Sequence, residues 1–287
     1  MNILVLGGNG MLGHTVAGYL KDFYGQNILV TTRSGSPGTI RFRIGFDDLS
    51  GVIQLARPDV VINCIGKIKP EIESNSGGTV DAIKVNSIFP HDLRNFFDGQ
   101  IVQIATDCVF SGKTGGYTNV SLHDAEDVYG KTKSLGEVAA EKFLNIRCSI
   151  IGRELNARKS LVEWVLGQPE GATLNGYMNH DWNGITTHAF ASVVGGLIQN
   201  NFELVTDQPI HLIPKNKVTK HQLLKQIAEK FGRTDLNILG VDAPISVNRT
   251  LETTNESLNT QLWESSVFKE VPSIEVLLEK YVEWLGK

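Results

Sequence analysis

Two side chains near the middle of the chain have the types and the spacing for proton transfer. Tyr129 and Lys133, in Tyr129-Gly130-Lys131-Thr132-Lys133, stand four residues apart. On a helix that spacing puts them on one face. A tyrosine protonates a carbonyl oxygen effectively only when its pKa is drawn toward neutrality, and an ammonium beside it favours the phenolate. Protonating that oxygen is one half of a carbonyl reduction; the other half is a hydride delivered to carbon. Thr106, at the end of Ile104-Ala105-Thr106-Asp107, sits where a residue at the carboxyl end of a strand can hydrogen-bond a substrate carbonyl. Asp107 either positions a substrate or is structural. Tyr-x-x-x-Lys is frequent by chance, so its weight rests on the elements that would position it.

The strongest of these lies at the start of the chain. Gly7-Gly8-Asn9-Gly10-Met11-Leu12-Gly13 follows the apolar run Ile3-Leu4-Val5-Leu6 and opens a helical pattern in which Leu12, Val16, Leu20 and Phe23 share a face. Strand, glycine turn and helix together form the context of a dinucleotide fingerprint. Both Gly7/Gly10/Gly13 and Gly8/Gly10/Gly13 fit the spacing. Missing Cβ atoms let the backbone approach a pyrophosphate, and the helix start offers free N–H groups to it. An oxidised nicotinamide is cationic and would add to the pull of Lys133 on the Tyr129 phenol. Lys133 is also placed to hydrogen-bond a cofactor ribose. Arg33 and Ser34 close the second strand, 20 residues or more beyond Gly13, and no Asp or Glu occurs between Gln26 and Ile44. An acid there would hold a ribose 2′-hydroxyl, whereas an arginine accommodates a 2′-phosphate. NADP(H) is therefore the preferred cofactor, with NAD(H) left open.

The first half of the chain alternates short apolar runs with helical patterns, as a parallel α/β sheet requires. Strands are expected at Asn2–Leu6, Asn27–Thr32, Thr39–Ile44, Asp59–Cys64, Gln100–Thr106 and Asn145–Ile151. Helices are expected at Met11–Phe23, Asp47–Ala56, Thr79–Phe97 and Val128–Leu144. Further on, Leu161–Leu166, His188–Ile198, His221–Phe231 and a final helix from Ile274, capped by Ser273, read as helices, and Ile210–Ile213 as a strand. The architecture implied is a Rossmann-type doubly wound parallel sheet with a smaller α/β substrate-binding domain. The dinucleotide-binding domain is expected over 1–152 and roughly 184–214, and the substrate-binding domain over roughly 153–183 and 215–287.

Composition narrows the class. The chain has 287 residues, 41% hydrophobic and 20% charged, with a net charge of -4. That balance argues against nucleic acid as a partner. No apolar run approaches a membrane span, and no basic leader precedes Ile3, so a cytoplasmic protein is expected. Cys64, Cys108 and Cys148 are widely spaced and read as reduced, buried thiols. The seven histidines (positions 14, 91, 123, 180, 188, 211 and 221) show no metal-ligand spacing, so no metal is expected. Asp124, Glu126 and Asp127 read as an acidic helix start. Arg249 is suited either to a substrate phosphate or to a surface ion pair.

Several segments occur in an order that resembles a known family. They are the turn Gly7–Gly13, Arg57-Pro58-Asp59-Val60-Val61-Ile62-Asn63, Val85-Asn86, Thr106-Asp107-Cys108-Val109-Phe110-Ser111-Gly112, Tyr129 to Glu137, and Trp182-Asn183-Gly184-Ile185-Thr186-Thr187. The chain resembles the dTDP-4-dehydrorhamnose reductase branch of the extended short-chain dehydrogenase/reductases. The resemblance is strong over the first 200 residues and weaker through Arg249-Thr250-Leu251. It implies a Thr106/Tyr129/Lys133 triad that reduces a nucleotide-linked 4-keto-6-deoxyhexose, in cell-surface polysaccharide biosynthesis. It implies cofactor contacts from Gly10, Met11 and Leu12, from Cys64, Ile65 and Gly66, and from Asn86. It implies sugar contacts near Thr106, Asp107, Ile150, Asn183 and Arg249, and it is compatible with a homodimer.

The sequence also departs from the branch. Rhamnose-forming members carry Ser-Thr-Asp where Ala105 begins the triplet, and a tryptophan where Ile150 stands. Acidic residues that hold an interface metal in some members have no counterpart, for instance at Ala17. The Ile-Gly ending at Ile151-Gly152 is more similar to reductases of UDP-linked 2-acetamido-6-deoxy-4-ketohexoses. Two alternatives accompany the reductase reading. One is an epimerase or dehydratase of the same superfamily, which would hold NAD tightly. The other is a non-catalytic NADP-binding regulatory subunit.

Overall fold

The structure, a computed structural model, describes residues 1–25, 27–74, 76–156, 158–204 and 208–286. Part of the expected 184–214 segment, residues 205–207, lies outside the described residues. The chain forms two compact units. The first is Met1–Ser111 with Leu122–Arg147 and Val205–Ile210; the second is Gly112–Ser121, Cys148–Leu204 and His211–Lys287.

The first unit is organised by a seven-stranded sheet. In chain order its strands are β1 (Ile3–Leu6), β2 (Ile28–Thr32), β3 (Ile40–Arg41), β4 (Val60–Asn63), β5 (Gln100–Thr106) and β6 (Phe143–Cys148), joined at one edge by Ile210–His211. The spatial order is Ile210–His211, β6, β5, β4, β1, β2, β3. The β3–β2, β2–β1, β1–β4 and β4–β5 pairings are parallel. This is the doubly wound order, and it reverses direction between β1 and β4, where ligands bind beyond the carboxyl ends. Strands β1 and β4 are buried along their whole length, as a parallel sheet covered on both faces demands. The core beneath them gathers Leu4, Leu6, Phe42, Val61, Phe89, Leu93, Ile101 and Phe143.

Helices α1 (Met11–Tyr24) and α2 (Leu49–Ala56) match the sequence reading. Asp48 stands outside α2 as its N-cap, accepting from Ser50 and Gly51. Other expectations change. The third strand is only Ile40–Arg41, because the Arg43 N–H donates to Asp47 Oδ2 (2.7 Å) and closes a turn where the ladder would continue. The helix expected at Thr79–Phe97 is three pieces, α4 (Gly78–Ala82), a π-helical stretch at Ile83–Ile88 and α5 (Phe89–Phe96), following the short α3 (Lys69–Glu73). Pro90 has no N–H to offer the Asn86 carbonyl, and the Phe89 N–H bonds back to Lys84 O, a five-residue step. The helix expected to run to Leu144 is α6 (Val128–Leu135) and stops at Gly136, where a Cβ would lie 1.8 Å from the Asn86 carbonyl oxygen.

Among the described residues the second unit is built on smaller sheets and five helices: α7 (Leu161–Leu166), α8 (Thr187–Gln199), α9 (Lys220–Lys230), α10 (Glu256–Glu264) and α11 (Ile274–Leu285). Thr173–Tyr177 pairs in parallel with Asn237–Val241. Ile150–Ile151 pairs in parallel with Ile185–Thr186, so the strand expected at Asn145–Ile151 is broken after Cys148. Helix α8 is buried on nearly every side and packs on α10 and α11, the pattern of a helix apolar all round. Ser273 caps α11 by accepting from the Val276 N–H. Ile274, Leu277, Leu278 and Tyr281 are buried, while Leu285 opens to solvent. No helix of the described residues is long and apolar enough to cross a membrane.

Candidate active site

The switch point of the sheet brings two loops together. Leu6 and Asn63, the last residues of β1 and β4, are register partners. The chain leaves β1 through Gly7, whose φ of +84° is open to glycine and costly for other residues. A Cβ on Gly7 would lie 2.9 Å from Ile65, so the turn after β1 and the Cys64-Ile65-Gly66 loop after β4 touch. Gly13 is closer still, since its Cβ would be 2.2 Å from the Gly7 carbonyl oxygen. The two spacings left open by the sequence thus separate. Gly7 and Gly13 form the turn, while Gly8 packs on β2, where a Cβ would meet Val30. Gly10 is the N-cap of α1, and a Cβ there would meet only the Gly7 carbonyl oxygen, at 3.3 Å. The first turn of α1, with Met11 and Leu12, therefore begins on open backbone. Thr31 fixes the turn from the side: its Oγ1 accepts from the Gly7 N–H (3.1 Å) and its carbonyl from the Gly8 N–H (2.8 Å). Sequence reasoning passed over Thr31, although a buried threonine ending a strand beside a glycine turn was a usable signal.

Arg33 and Ser34 follow β2 and are exposed. The Arg33 guanidinium makes no ion pair among the described residues. Below it Thr32 Oγ1 accepts from the Gly35 and Ser36 N–H groups (3.1 and 3.3 Å), and Ser34 Oγ lies 3.0 Å from Ser36 Oγ. The segment is a hydroxyl-lined turn carrying one free cation, a chemistry suited to a phosphate.

Asn86, expected among the cofactor contacts, takes part in the hydrogen-bond network that joins the loop after β4 to α6. Its side chain is buried in the π-helical stretch. Oδ1 accepts from the Lys67 N–H (2.8 Å), and Nδ2 donates to Lys67 O (2.9 Å) and to Thr132 Oγ1 (3.2 Å). Asn86 therefore joins the chain just past Gly66 to α6.

Helix α6, which carries Tyr129 and Lys133, is held mainly by polar groups, because its sequence Val128-Tyr-Gly-Lys-Thr-Lys-Ser-Leu135 has almost no apolar stripe and Leu135 is exposed. Asp127 caps it, accepting from the Gly130 N–H (2.8 Å), and Lys69 donates to the other carboxylate oxygen of Asp127 (3.3 Å). Thr132 Oγ1 donates to Tyr129 O (3.0 Å), and Thr132 O accepts from Ser87 Oγ (2.8 Å). His91 Nε2 reaches Leu135 O (2.9 Å), and His123 Nδ1 lies 2.7 Å from Ser134 Oγ. Thr132, Ser87, His91 and His123 are all absent from the sequence-derived site.

Lys133 is 6% exposed, and its ammonium donates to Ile104 O in β5 (2.8 Å). Burial pushes the Cys64 thiol far above its ordinary range, and the nearby Lys133 charge opposes that shift. The ammonium thus stands between the ends of β4 and β5. Tyr129, four residues earlier on α6, is half-buried. Thr106, the last residue of β5, donates to Asp107 Oδ1 (3.2 Å) and accepts from the Cys108 N–H (3.1 Å). Both Thr106 and Asp107 are buried. The three cysteines carry free thiols; Cys148 is buried, Cys108 is partly exposed, and Cys64 is partly exposed as a residue around a buried thiol.

The remaining expected residues belong to the second unit. Ile150 pairs with Ile185. Asn183 clamps the backbone of Leu251 through Nδ2 to O (2.7 Å) and N–H to Oδ1 (3.0 Å). This anchors the segment that holds Arg249, whose side chain packs on Gly112. Among the described residues no group of three or more His, Cys, Asp or Glu could hold a metal ion.

Comparison with known proteins finds the same fold. The crystal structure of dTDP-4-dehydrorhamnose reductase from Bacillus anthracis str. Ames in complex with NADP matches 99% of each chain, at 18% identity and a TM-score of 0.77. A dTDP-4-dehydrorhamnose reductase structure from Clostridium acetobutylicum matches 100% of each chain, at 22% identity and a TM-score of 0.72. These likenesses establish the fold. The methionine adenosyltransferase 2 subunit beta of Danio rerio is 26% identical over 137 residues, so this chain spans less than half of that relative, 42% of its length. The family described as the RmlD substrate binding domain matches residues 1–285, and the chain belongs to that family.

Proposed function

We propose that the protein is an NADP-preferring reductase of a nucleotide-linked 4-keto-6-deoxyhexose. The observation that carries this reading is the placement of Lys133. A buried ammonium is held at the end of β5 on the same helix as Tyr129 and one residue from the tether at Thr132. A surface Tyr-x-x-x-Lys pair would need none of this support.

The residues suit a dinucleotide. The open backbone at Gly10 and the start of α1 would receive the pyrophosphate, and Arg33 with Ser34 would receive a 2′-phosphate. When bound, the cofactor supplies the hydride. Thr106 donates to the substrate carbonyl and orients it. Tyr129 transfers its phenolic proton to the C4 oxygen as that oxygen gains negative charge, leaving an alcohol and a phenolate. Lys133 stabilises the phenolate and bonds the ribose, and solvent returns the proton. Ile150, Asn183 and Arg249 are assigned to the sugar nucleotide. Ile150, in place of a tryptophan, speaks against rhamnose, and the Ile151-Gly152 ending with Trp182 to Thr187 resembles reductases of UDP-linked 2-acetamido sugars.

Tyr129→Phe tests the proposal. It should abolish NADPH oxidation with 4-keto-6-deoxy sugar nucleotides, dTDP- or UDP-linked, and leave NADPH affinity within about twofold. Full turnover by this variant would overturn the mechanism. A second reading, a dinucleotide-binding regulatory subunit, is favoured by the likeness to methionine adenosyltransferase 2 subunit beta. It requires NADP binding by the wild-type chain with no turnover of any of these sugars.

A further inference from the structure

Beside the C-terminal turn of α6 lies a buried cluster that the proposed chemistry does not use. Arg147, on β6, makes a two-pronged pair with Glu137, Nε to Oε1 at 2.8 Å and Nη2 to Oε2 at 2.7 Å. Both side chains are buried, 4% and 8% exposed. The His123 ring stands next to the pair. Its Nε2 is 3.8 Å from Glu137 Oε2, it packs edge-to-face with Phe110, and the Arg147 guanidinium lies over that same Phe110 ring. Its other nitrogen, Nδ1, meets Ser134 Oγ at 2.7 Å. Ser134 directly follows Lys133.

The charged groups facing His123 are Glu137 from the end of α6, Arg147 from β6 and Asp124 from its own loop. Asp124 is engaged by the Ser111 N–H and hydroxyl (2.7 and 2.6 Å). Arg147 already satisfies Glu137 and Ser111 engages Asp124, so a proton on the half-buried ring is opposed chiefly by burial, and once gained it turns the ring toward the Glu137 carboxylate and away from Ser134. A charged imidazole would also draw Glu137 away from Arg147.

We infer that His123 is a positioning residue for the proton-transfer helix: through Ser134 it fixes the turn of α6 that presents Lys133, and protonation of its ring loosens that turn. The inference rests on the reading of Tyr129 and Lys133 as the reactive pair. Burial holds the His123 pKa below its ordinary value, with Arg147 lowering it and Glu137 and Asp124 raising it. The loosening therefore belongs below the usual histidine range, and the helix is tight at neutral pH.

Two variants and two readouts test this in the full chain. His123→Phe keeps the ring packing on Phe110 and removes the bond to Ser134. His123→Gln keeps an amide that can reach Ser134 but cannot gain a proton. The first readout is kcat for NADPH oxidation with 4-keto-6-deoxy sugar nucleotides across pH 5–9. His123→Phe should lower kcat about five- to tenfold at pH 7.5, the scale of one lost hydrogen bond, and by less at pH 5, where the wild-type tether is already loosened. His123→Gln should restore most of kcat at pH 7.5 and lose the acid limb of the wild-type profile. The second readout, amide hydrogen exchange of residues 128–136, needs no substrate. It should quicken in His123→Phe at pH 7.5 and in wild type at pH 5, and remain slow in His123→Gln. If wild type turns over none of the sugars, the exchange result alone decides. Unchanged exchange in His123→Phe, or equal losses in the Phe and Gln variants, overturns the inference.

Discussion

Replacing Gly10 by alanine separates a pyrophosphate site from a merely structural turn. Gly13 cannot make that distinction. Its Cβ would lie 2.2 Å from the Gly7 carbonyl oxygen and 2.8 Å from the Gly7 carbonyl carbon, both backbone atoms. Gly13→Ala must spread the turn by more than an ångström, a strain of about 1–3 kcal/mol or more, so lost binding and lost folding would arrive together. At Gly10 the new methyl meets one protein atom, the Gly7 carbonyl oxygen at 3.3 Å, and the backbone is extended at φ -79° and ψ 164°, which alanine adopts freely. As an N-cap, alanine is worse than glycine by at most about 1 kcal/mol. Any larger effect must come from a ligand that approaches the backbone where the methyl now stands. Gly10→Ala should therefore unfold within about 1 kcal/mol of wild type in urea, yet raise the Kd for NADPH about 10- to 100-fold, equivalent to roughly 1.4–2.7 kcal/mol. Denaturant titration and quenching of NADPH fluorescence measure the two quantities on one preparation. A variant that is stable and binds NADPH as tightly as wild type would refute the placement of the dinucleotide on this turn.

Two further outcomes follow from charges. Under the proposed assignment of the Arg33 guanidinium to a 2′-phosphate, Arg33→Ala should weaken NADPH binding about tenfold or more and change NADH binding less than threefold; equal weakening of both would remove the basis for NADP preference. Arg147→Met leaves the Glu137 carboxylate buried without its partner and should destabilise the first unit by about 3–5 kcal/mol, whereas Glu137→Gln with Arg147→Met should recover most of that loss in urea melts.

The dinucleotide half of the fold was legible because local patterns and tertiary demand coincide there. Ile3-Leu4-Val5-Leu6 is buried on both faces, and a continuous apolar run is what such a strand needs. The errors fall where a distant group decides the outcome. Residues 79–97 read as one helix because apolar spacing persists across the π-helical stretch, whereas Pro90 removes the N–H that an α-helix would return to Asn86. The residue that ends α6 must be glycine, because the Asn86 carbonyl occupies the space of a side chain at Gly136, a contact across 50 residues that no window on the sequence contains. The bonds from the Asn183 amide to the backbone of Leu251 reach across 68 residues and are equally invisible to a local reading.

The site shows the same division. Tyr129 and Lys133 were visible because their spacing matches a helical turn, and a turn is a local property. What holds that turn was invisible, since the tethers on α6 come from Ser87, His91, Asn86 and His123, the first three more than 40 residues away. A helix with an apolar stripe is oriented by non-directional burial, and small rotations cost little. A helix with almost none, fastened at Asp127, Thr132, Ser134 and Leu135 by directional bonds, has few orientations that satisfy all of them at once. If a proton donor must sit within hydrogen-bond reach of a carbonyl, the second arrangement supports it better. The lack of an apolar face on α6, which looks like weak helix design in the sequence, is therefore what the proposed chemistry would select. The polar residues just outside the Tyr129/Lys133 pair are then the next place to look for control of its reactivity.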